Sequence, residues 1–450
     1  MTTYESENTE ILLGDCLEVL SKMPSCSVQC VVTSPPYWGL RDYDLPPSVW
    51  GGDSGCEHEW GQMLPQHHPG QVPETKWQNN PDLAKGQTAG AGQYCQKCSA
   101  WLGTLGLEPT PDLYVEHLVL IFREVKRVLA DDGTLWLNIG DSRGHGTSAR
   151  RQLGDALLGA GTAAASAIPR DGFTAKQLIG IPWMVAFALR ADGWYLRSDI
   201  IWHKPNVKPE SVRDRPTSSH EYVFLLSKSA RYFYDVEAIK EPSAESSVKR
   251  VRQANFANQT GGPKDYGTTG TNSNRSARKS LENFAKNPEF RQKRDVWSIN
   301  TEQYSGAHFA TFPPKLVEPC ILAGTSEKGK CPTCGRQWRR IIKKPDMSQR
   351  PTKSIDAKLE GVGGLHINDG WKQTCSCPHH DPIPCVVLDP FSGSGTTLAV
   401  AAQHGRFGIG IELNPGYIKL AMDRIAEATR PVELQTAIQS ETEVKQICLF

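Results

Sequence analysis

The sequence predicts an α/β fold in which strands alternate with helices in a doubly wound, Rossmann-like sheet. Three observations predict it. Short apolar runs alternate with segments whose apolar residues recur at helical spacing. An apolar strand, Val386 to Asp389, runs into a turn that contains Gly393 and Gly395. The next predicted strand ends at Glu412, about 20 residues after that turn, which is the arrangement that binds ribose hydroxyls in dinucleotide folds.

The individual elements follow in chain order. An apolar run predicts a strand over 28–32. Apolar residues at helical spacing, among them Leu118, Ile121 and Phe122, predict a helix over 114–129. Strands over 221–228 and 232–234 are predicted to close the sheet as a pair. The other predicted elements are strands at 133–141, 195–204, 386–389 and 405–412, and helices at 181–189 and 398–402.

A proline turn, Thr33-Ser34-Pro35-Pro36-Tyr37-Trp38, follows the first of these strands. Proline supplies no backbone N–H, so the carbonyls of the turn are predicted to be free to accept hydrogen bonds from a ligand. Ser34 adds a hydroxyl, and Tyr37 and Trp38 add flat apolar faces. The combination suits a planar group that carries an exocyclic NH2. The alternative is an ordinary proline turn without a ligand.

The composition narrows the class of protein. The chain has 450 residues and a net charge of +1, so the whole molecule carries no basic signature for nucleic acid. No apolar run reaches the roughly 18 residues that a membrane span needs. The first ten residues are polar and partly acidic, unlike a signal peptide. We therefore predict a cytoplasmic protein without membrane contact.

Positive charge is concentrated in one segment, Lys249 to Arg294. It contains eleven basic residues against Asp265, Glu282 and Glu289, a net charge of +8, and is rich in Asn, Gly, Ser and Thr. One interpretation is a disordered linker with a solvated charge run. The other is a DNA-contacting segment, with cations on phosphates and polar side chains on base edges.

Two groups of cysteine and histidine residues have the spacing of metal ligands. The chain has thirteen cysteines, and Cys-x2-Cys pairs in a reducing compartment favour metal over disulfide. Each group offers four ligands, enough for a closed tetrahedral structural zinc site, so we predict two zinc ions. The alternative is coincidental free cysteines, since Cys-x-Cys and Cys-x-His are less usual half-sites. The predicted ligands are Cys56, His58, Cys95 and Cys98 in one group and Cys331, Cys334, Cys375 and Cys377 in the other, with His67, His68, His379 and His380 as spares.

The proline turn and the glycine turn together resemble the two signature motifs of the amino-methylating DNA methyltransferases. Asp389-Pro390-Phe391 precedes the glycine turn, and no lysine follows Gly395 as it would in a phosphate-binding Walker loop. The turn is therefore similar to the family's S-adenosylmethionine loop. The catalytic motif comes first in the chain and the cofactor loop last, which is the permuted order of the β-class. The resemblance covers most of the chain.

The resemblance implies roles for individual residues. Ser34, Pro35, Pro36 and Tyr37 would form the catalytic turn. A flipped base would stack on Tyr37, or on Trp38, and accept the methyl group in line without a covalent intermediate. Such a transfer needs no catalytic metal, so the zinc ions are predicted to be structural. The implied cofactor-binding residues are Asp15, Cys16, Phe312, Pro313, Asp389, Pro390, Phe391, Ser392, Gly393, Gly395, Thr396 and Glu412.

The resemblance also implies the substrate and the partners. Ser-Pro-Pro-Tyr accompanies mostly cytosine N4, and Asp- or Asn-Pro-Pro-Tyr accompanies adenine N6, so cytosine N4 in duplex DNA is the first prediction and adenine N6 the second. A protein or RNA methyltransferase and a non-catalytic zinc-containing DNA-binding relative are the alternatives from other classes. The recognition site, a cognate restriction endonuclease, and the choice between monomer and homodimer stay open.

The predicted domains follow from these motifs. Residues 1–50 and 105–240 form the catalytic half, with a zinc-knuckle insertion at 51–104. The basic segment, taken as 241–300, lies where the permuted family carries its target-recognition region. Residues 301–450 form the cofactor half, with the second zinc knuckle inserted at about 325–380.

Overall fold

The computed structural model describes residues 2–40, 45–64, 92–144, 173, 176–252, 289–302, 312–343 and 367–430. The chain forms two compact units. Unit 1 comprises Met1–Phe233, Asp295–Ile321 and Pro384–Phe450, and unit 2 comprises Tyr234–Arg294 and Leu322–Ile383. Unit 2 thus joins the predicted basic segment to the second cysteine group. The finer division into four domains stays a prediction.

The described strands and helices alternate along much of the chain. The helices are α1 (Cys16–Lys22), α2 (Pro111–Val128), α3 (Ile181–Ala191), α4 (Glu245–Val251), α5 (Pro314–Gly324), α6 (Thr396–Gln403) and α7 (Pro415–Ala428). The strands are β1 (Thr2–Ser6), β2 (Thr9–Leu13), β3 (Val28–Thr33), β4 (Ser48–Trp50), β5 (Gln93–Tyr94), β6 (Trp101–Gly103), β7 (Leu129–Ile139), β8 (Tyr195–His203), β9 (His220–Ser227), β10 (Glu241–Pro242), β11 (Phe290–Arg291), β12 (Val296–Ser298), β13 (Arg339–Lys343), β14 (Ile367–Lys372), β15 (Val386–Asp389) and β16 (Phe407–Glu412).

A nine-stranded sheet forms the centre of unit 1. Its strand order is β1-β2-β16-β15-β3-β7-β9-β8-β12. The central strands β2, β16, β15, β3 and β7 are parallel to their neighbours in this series, and β9 runs antiparallel to both β7 and β8. Parallel strands need crossover connections, which explains the intervening helices. The predicted α/β, doubly wound fold is confirmed.

Helices cover both faces of this sheet. Ile11 and Leu12 are consecutive residues of β2 and therefore point to opposite faces. Leu12 belongs to a buried cluster that includes residues of α1, α2 and α3, whereas Ile11 packs with residues of α6 and α7. Helix α2 begins where Thr110 accepts a hydrogen bond from the Leu113 N–H, with proline at the first helical position.

One predicted strand is absent from the described part of the structure. Residues 232–234, predicted to pair with the strand at 221–228, are irregular, and the Phe233 N–H donates to the Asp132 carbonyl at 2.7 Å. The prediction is wrong because β9 already lies between β7 and β8, so neither of its edges is open to a further strand.

Three small antiparallel sheets lie outside the nine-stranded sheet in the described part of the chain. In unit 1, β4, β6 and β5 form a three-stranded antiparallel sheet. In unit 2, β10 pairs with β11 and β13 pairs with β14, both antiparallel. Among the described residues, no helix has the length and apolar character needed to cross a membrane.

Candidate active site and metal clusters

A cavity of about 870 Å³ in unit 1 collects most of the predicted site residues. Its volume lies within the roughly 300–1,000 Å³ of small-molecule sites. Of the sixteen predicted catalytic and cofactor-binding residues, all but Asp389, Gly395 and Pro313 line it. The lining residues are Ser34, Pro35, Pro36, Tyr37, Asp15, Cys16, Phe312, Pro390, Phe391, Ser392, Gly393, Thr396 and Glu412.

The topology explains why residues so far apart in sequence meet here. β3 and β15 are adjacent parallel strands, so the proline turn after β3 and the glycine turn after β15 emerge at the same edge of the sheet. In open α/β sheets this edge, outside the carboxyl ends of the strands, is where ligands bind. The catalytic and cofactor motifs therefore face one cavity although their order in the chain is permuted.

The proline turn is anchored at its second proline. The Tyr114 hydroxyl donates a hydrogen bond to the Pro36 carbonyl at 2.8 Å, and the Tyr37 and Trp38 carbonyls also accept hydrogen bonds. The prediction that the carbonyls of the turn are free is wrong for these three residues. The Pro35 carbonyl accepts no hydrogen bond from the described residues. Ser34 Oγ lies 3.3 Å from the Tyr37 hydroxyl and also lines the cavity. Pro35 and Ser34 thus offer acceptors for an amino group.

Trp38 does not face the cavity. Its side chain is only 4% exposed, and its indole N–H donates to the Glu108 carbonyl at 2.9 Å. The prediction that Trp38 could stack on a base is therefore wrong, because its indole ring is part of the core.

A network of polar side chains holds the Tyr37 ring in place. No sequence motif indicated its members. The Tyr37 hydroxyl lies 2.9 Å from Glu221 Oε2 and 3.2 Å from Asn138 Oδ1. Lys204 pairs with Glu221 and lies over the Trp202 ring. Burial first, and then the Glu221 carboxylate, raise the pKa of Tyr37 well above its usual value, so the hydroxyl stays protonated and donates.

The three missed residues also line the cavity, and a signal for them exists. Asn138 is a polar residue within the buried, otherwise apolar second half of β7, residues 135–139. Lys204 directly follows β8, and Glu221 lies at the start of β9. Because β9 is antiparallel to β7 and β8, its beginning lies at the same edge as their ends. The direction of β9 was the information that the sequence pattern lacked.

Asp389 organises the glycine turn from beneath the cavity. Its carboxylate accepts hydrogen bonds from Thr33 Oγ1 at 2.6 Å, the Phe391 N–H at 3.1 Å and Thr397 Oγ1 at 2.9 Å. It therefore joins β3, the turn and the start of α6. Gly395 has a φ of +74° at the N-cap of α6, where a Cβ atom would lie 2.8 Å from Cβ of Ala421. Only glycine fits this position without a shift.

Glu412 joins the glycine turn to the strand end that follows it. Oε2 accepts the Gly393 N–H at 2.7 Å and Oε1 accepts the Asn414 N–H at 2.8 Å. Burial raises the pKa of this carboxyl group, and the two backbone hydrogen bonds oppose that effect. Asp15, predicted to contact the cofactor, caps α1 by accepting from the Leu17 N–H at 2.9 Å and binds the Ser48 hydroxyl with its other oxygen.

The cavity fits the predicted S-adenosylmethionine. Ser392 Oγ is buried at the cavity wall and has no hydrogen-bond partner among the described residues. Such a buried polar atom costs free energy unless a ligand or water satisfies it. Next to it, a Cβ atom on Gly393 would have nothing closer than 4.0 Å, so the turn leaves room beside its backbone. Asp15, Phe391 and Glu412 supply the polar and apolar walls.

Asp389 predicts a pH dependence of stability. Burial raises its pKa to about 6, and hydrogen bonds from Thr33, Phe391 and Thr397 only partly offset this. The pKa of an aspartate in an unfolded chain is about 3.9. Between pH 4 and pH 6 the folded chain therefore binds this proton more tightly than the unfolded chain does. The stability that this group contributes is present below pH 4 and is lost as the pH rises through 6.

Asp389→Asn removes this titration while keeping the side-chain shape. The free energy of unfolding of the variant, relative to the unsubstituted chain, is therefore expected to rise by roughly 3 kcal/mol between pH 4 and pH 7. Urea unfolding at several pH values measures this difference. A difference that does not change with pH would contradict the assigned burial of Asp389.

The first cysteine group is assembled in unit 1. The ligand atoms of Cys56, His58, Cys95 and Cys98 all lie within 4.8 Å of one another. Cys56 Sγ is 3.9 Å from Cys95 Sγ, close to the roughly 3.8 Å expected between two sulfurs of a tetrahedral zinc site. Burial raises the pKa of Cys95, but hydrogen bonds, chiefly from the Cys98 backbone and His58, outweigh it and lower the pKa to about 5.

The second cysteine group is assembled in unit 2. The sulfur atoms of Cys331, Cys334, Cys375 and Cys377 also lie within 4.8 Å of one another. Gly335 closes the knuckle with a φ of +72°, and its N–H donates to the Cys331 carbonyl at 2.9 Å. The structure thus brings together both predicted ligand sets. The spare candidates His67 and His68 lie outside the described residues, and His379 packs against Trp338.

We expect about two zinc ions per chain, and loss of one when Cys331→Ser and Cys334→Ser are combined. Thiolate sites rarely exist in the unfolded chain, so the free energy of metal binding becomes free energy of folding. The double variant should therefore have a lower Tm, with activity falling only as folding falls. Elemental analysis and thermal unfolding measure both quantities. A metal-free chain of full stability would refute the assignment, and zinc loss that abolishes chemistry without lowering Tm would indicate a catalytic ion.

The predicted basic segment is described only at its two ends. Residues 253–288 lie outside the described residues. At the ends, several of the cations are paired: Arg252 binds Glu289 at 2.7 Å, and Arg291 and Arg294 bind Glu241 at 2.9 and 3.3 Å. The role of the segment in target recognition stays a prediction.

A single α/β sheet with a proline turn and a glycine turn on one cavity defines a nucleotide-cofactor enzyme of the methyltransferase type. A family profile of DNA methylases, the N6/N4 methyltransferases, matches residues 28–331 and 384–423. The chain belongs to this family, whose members methylate DNA on adenine N6 or cytosine N4. The predicted amino-methyltransferase family is confirmed.

Individual relatives span almost the whole chain. Type II methyltransferase M.Cfr9I of Citrobacter freundii is 34% identical over 96% of this chain and 93% of its own length. Type II methyltransferase M.SmaI of Serratia marcescens is 34% identical over 92% of this chain and 90% of its own. Among solved structures, the cytosine-N4-specific PvuII DNA methyltransferase has a TM-score of 0.46 and 15% identity, with 97% of this chain and 92% of that chain covered.

Proposed function

We propose that the chain transfers a methyl group from S-adenosylmethionine to N4 of cytosine in double-stranded DNA. The observation that carries the proposal is the position of Ser34 at the head of the Pro-Pro-Tyr turn, on the same cavity as the glycine turn. A serine hydroxyl at this position both accepts and donates hydrogen bonds, whereas the aspartate of the adenine-type motif only accepts. Adenine N6 is the second candidate.

The amino group of the base has to be activated before it can react. Its lone pair is delocalised into the ring, which makes it a poor nucleophile. The Pro35 carbonyl and Ser34 Oγ would accept hydrogen bonds from the two N–H groups of the amino group. These hydrogen bonds would turn its lone pair towards the methyl carbon. The N–C bond would form as the S–C bond of the sulfonium breaks and S-adenosylhomocysteine leaves. The same acceptors would stabilise the positive charge that develops on nitrogen, and one N–H proton would then be lost to water. S-adenosylmethionine supplies the methyl group on a sulfonium, so no metal or covalent intermediate is required.

The base has to leave the duplex to reach this turn. Tyr37 would stack on it, and Glu221 and Asn138 would hold the Tyr37 hydroxyl so that the ring stays at the cavity wall. Gly140 lets the ring approach, because a Cβ atom there would lie 2.7 Å from the ring carbon Cε2. Glu221, Asn138 and Lys204 are positioning residues in this proposal.

The cofactor would occupy the other part of the cavity. Ser392 and the backbone of Gly393 would bind it from the glycine turn, and Glu412 would hold the ribose while keeping the two loops together. Asp15 and Cys16, at the start of α1, would contact the adenine ring. Phe312, which lines the cavity, would flank the methionine part. The named relatives are type II methyltransferases, so we further propose that the enzyme protects DNA from a restriction endonuclease in the cytoplasm.

The base assignment is tested by product analysis. Duplex DNA is incubated with the enzyme and methyl-labelled S-adenosylmethionine, and the nucleosides are separated by mass spectrometry. We expect N4-methylcytosine. N6-methyladenine would overturn the base assignment. Parallel reactions contain RNA or protein in place of DNA, and label in those alone would overturn the assignment of DNA. DNA binding without any transfer would favour the non-catalytic alternative.

A further inference from the structure

The two units of this protein carry opposite net charges. Unit 2 contains 23 Lys and Arg against 13 Asp and Glu, a net charge of +10. The remaining residues contain 27 basic and 36 acidic side chains, a net charge of −9. The chain as a whole is therefore nearly neutral although its two units are strongly and oppositely charged. A catalytic unit of that charge repels a polyanion. Long-range attraction to DNA is therefore expected to come chiefly from unit 2.

Half of the excess positive charge of unit 2 lies in its second part, Leu322–Ile383, which we call the ribbon. It contains 11 basic and 6 acidic residues and also the second cysteine group. It is separate in sequence from the basic segment that ends at Arg294. The ribbon thus supplies as much net charge as the first part of unit 2.

Several exposed cations of the ribbon are neighbours. Arg339 and Lys372 are directly opposite each other in the β13–β14 pair, and both are exposed. The Trp338 N–H donates to the Gly329 carbonyl at 3.0 Å. Arg339 follows Trp338 and the exposed Lys328 precedes Gly329, so this hydrogen bond places the segments of these two cations side by side. Like charges directly opposite each other in a sheet repel. The positive potential of such a cluster of exposed cations attracts a polyanion.

Two carboxylates close to the hairpin are already engaged by Arg340. Arg340 binds Asp235 at 2.7 Å and also binds Glu327, and it stacks on Trp371. These contacts lie on the Arg340 side of the hairpin, and the pair Arg339 and Lys372 lies on the other side. Among the described residues, Lys328, Arg336 and Lys372 have no ion pair, and Arg336 is exposed directly after the knuckle glycine.

We propose that the ribbon binds the phosphate backbone of the DNA substrate through Lys328, Arg336, Arg339 and Lys372. The proposal rests on the proposed function, which makes duplex DNA the substrate. Phosphate contacts give affinity that is independent of sequence and strongly dependent on salt. The cysteine group, at the base of this hairpin, fixes the geometry of the contact and takes no part in the chemistry.

The test compares charge-matched pairs of substitutions in the full-length protein. Arg336→Gln with Lys372→Gln removes two charges from the ribbon, and Lys328→Gln with Lys372→Gln is a second ribbon variant. Lys22→Gln with Lys419→Gln removes two exposed charges from unit 1 as the control. Binding of a fluorescein-labelled duplex is measured by anisotropy over a range of salt concentrations, with zinc content and Tm checked for each variant.

Each ribbon variant should bind duplex DNA about tenfold or more weakly at 0.1 M salt, equally for target and non-target sequences. The slope of log Kd against log salt should fall by about 0.9 for each phosphate that the ribbon no longer neutralises. The unit 1 control should keep the unsubstituted slope. Ribbon variants that fold, hold zinc and keep the unsubstituted slope and affinity would overturn the proposal. If the unsubstituted enzyme methylates DNA in that case, the proposed function stands while the role of the ribbon fails.

Discussion

Tyr37→Ala is expected to reduce kcat for methyl transfer by on the order of 100-fold or more, because a displaced base no longer presents its nitrogen in line with the methyl carbon. The Tyr37 ring lines the cavity, and its hydroxyl is held by Glu221 at 2.9 Å. Affinity for S-adenosylmethionine should stay within a few-fold, since the glycine turn lies on another strand. Single-turnover kinetics and calorimetry separate the two effects.

Tyr37→Phe is the matched control. It keeps the ring for stacking and loses only the hydroxyl that Glu221 and Asn138 hold, so kcat should fall by much less than in Tyr37→Ala. If Tyr37→Ala loses cofactor affinity to the same extent as activity in a folded protein, the role assigned to Tyr37 is wrong.

Glu412→Ala is expected to weaken S-adenosylmethionine binding by tenfold to a hundredfold. Its two oxygens accept the Gly393 and Asn414 N–H groups at 2.7 and 2.8 Å, and each such charge-assisted bond contributes about 1.5–3 kcal/mol. Without the carboxylate, the glycine turn keeps only its backbone hydrogen bond from the Ser392 N–H to the Ile411 carbonyl of β16, and the proposed hydrogen bond to the ribose cannot form. Calorimetric titration of the folded variant with the cofactor measures the change.

Glu412→Gln separates the two contributions, because the amide retains one acceptor oxygen and removes the charge. Its affinity should lie between those of the unsubstituted chain and Glu412→Ala.

Asp389→Ala is expected to weaken binding as well, since it removes the acceptor that ties Thr33, Phe391 and Thr397 together. Unchanged affinity in both alanine variants would remove the assignment of this turn to the cofactor.

Local patterns were sufficient to predict most of the sheet. The apolar run that begins at Val28 ends in a proline turn, and the apolar run that ends at Asp389 is followed by a glycine turn. These turn residues mark the ends of β3 and β15, and both strands form where predicted. The hairpin of β1 and β2 was not predicted. The first strand of that hairpin is exposed along its length, so no periodic apolar pattern marks it.

The site was predictable where its residues lie in consecutive motifs and was not where they come from separate strands. Ser34, Tyr37, Gly393 and Glu412 all reach the cavity as predicted. Glu221 could not be placed without knowing that its strand is antiparallel. Trp38 was misplaced because an aromatic residue beside a ligand turn has the same sequence signature whether it faces the ligand or the core.

The pairing of β3 with β15 has a consequence for the biosynthesis of this enzyme. Thr33 and Asp389 are 356 positions apart in sequence and hydrogen-bonded in the middle of the sheet. While a ribosome is still translating the residues between them, β3 exposes one unpaired edge and half of the cavity does not exist. Contacts of such long range form late in folding. The nascent chain therefore cannot modify DNA, and activity begins only after synthesis of the cofactor half.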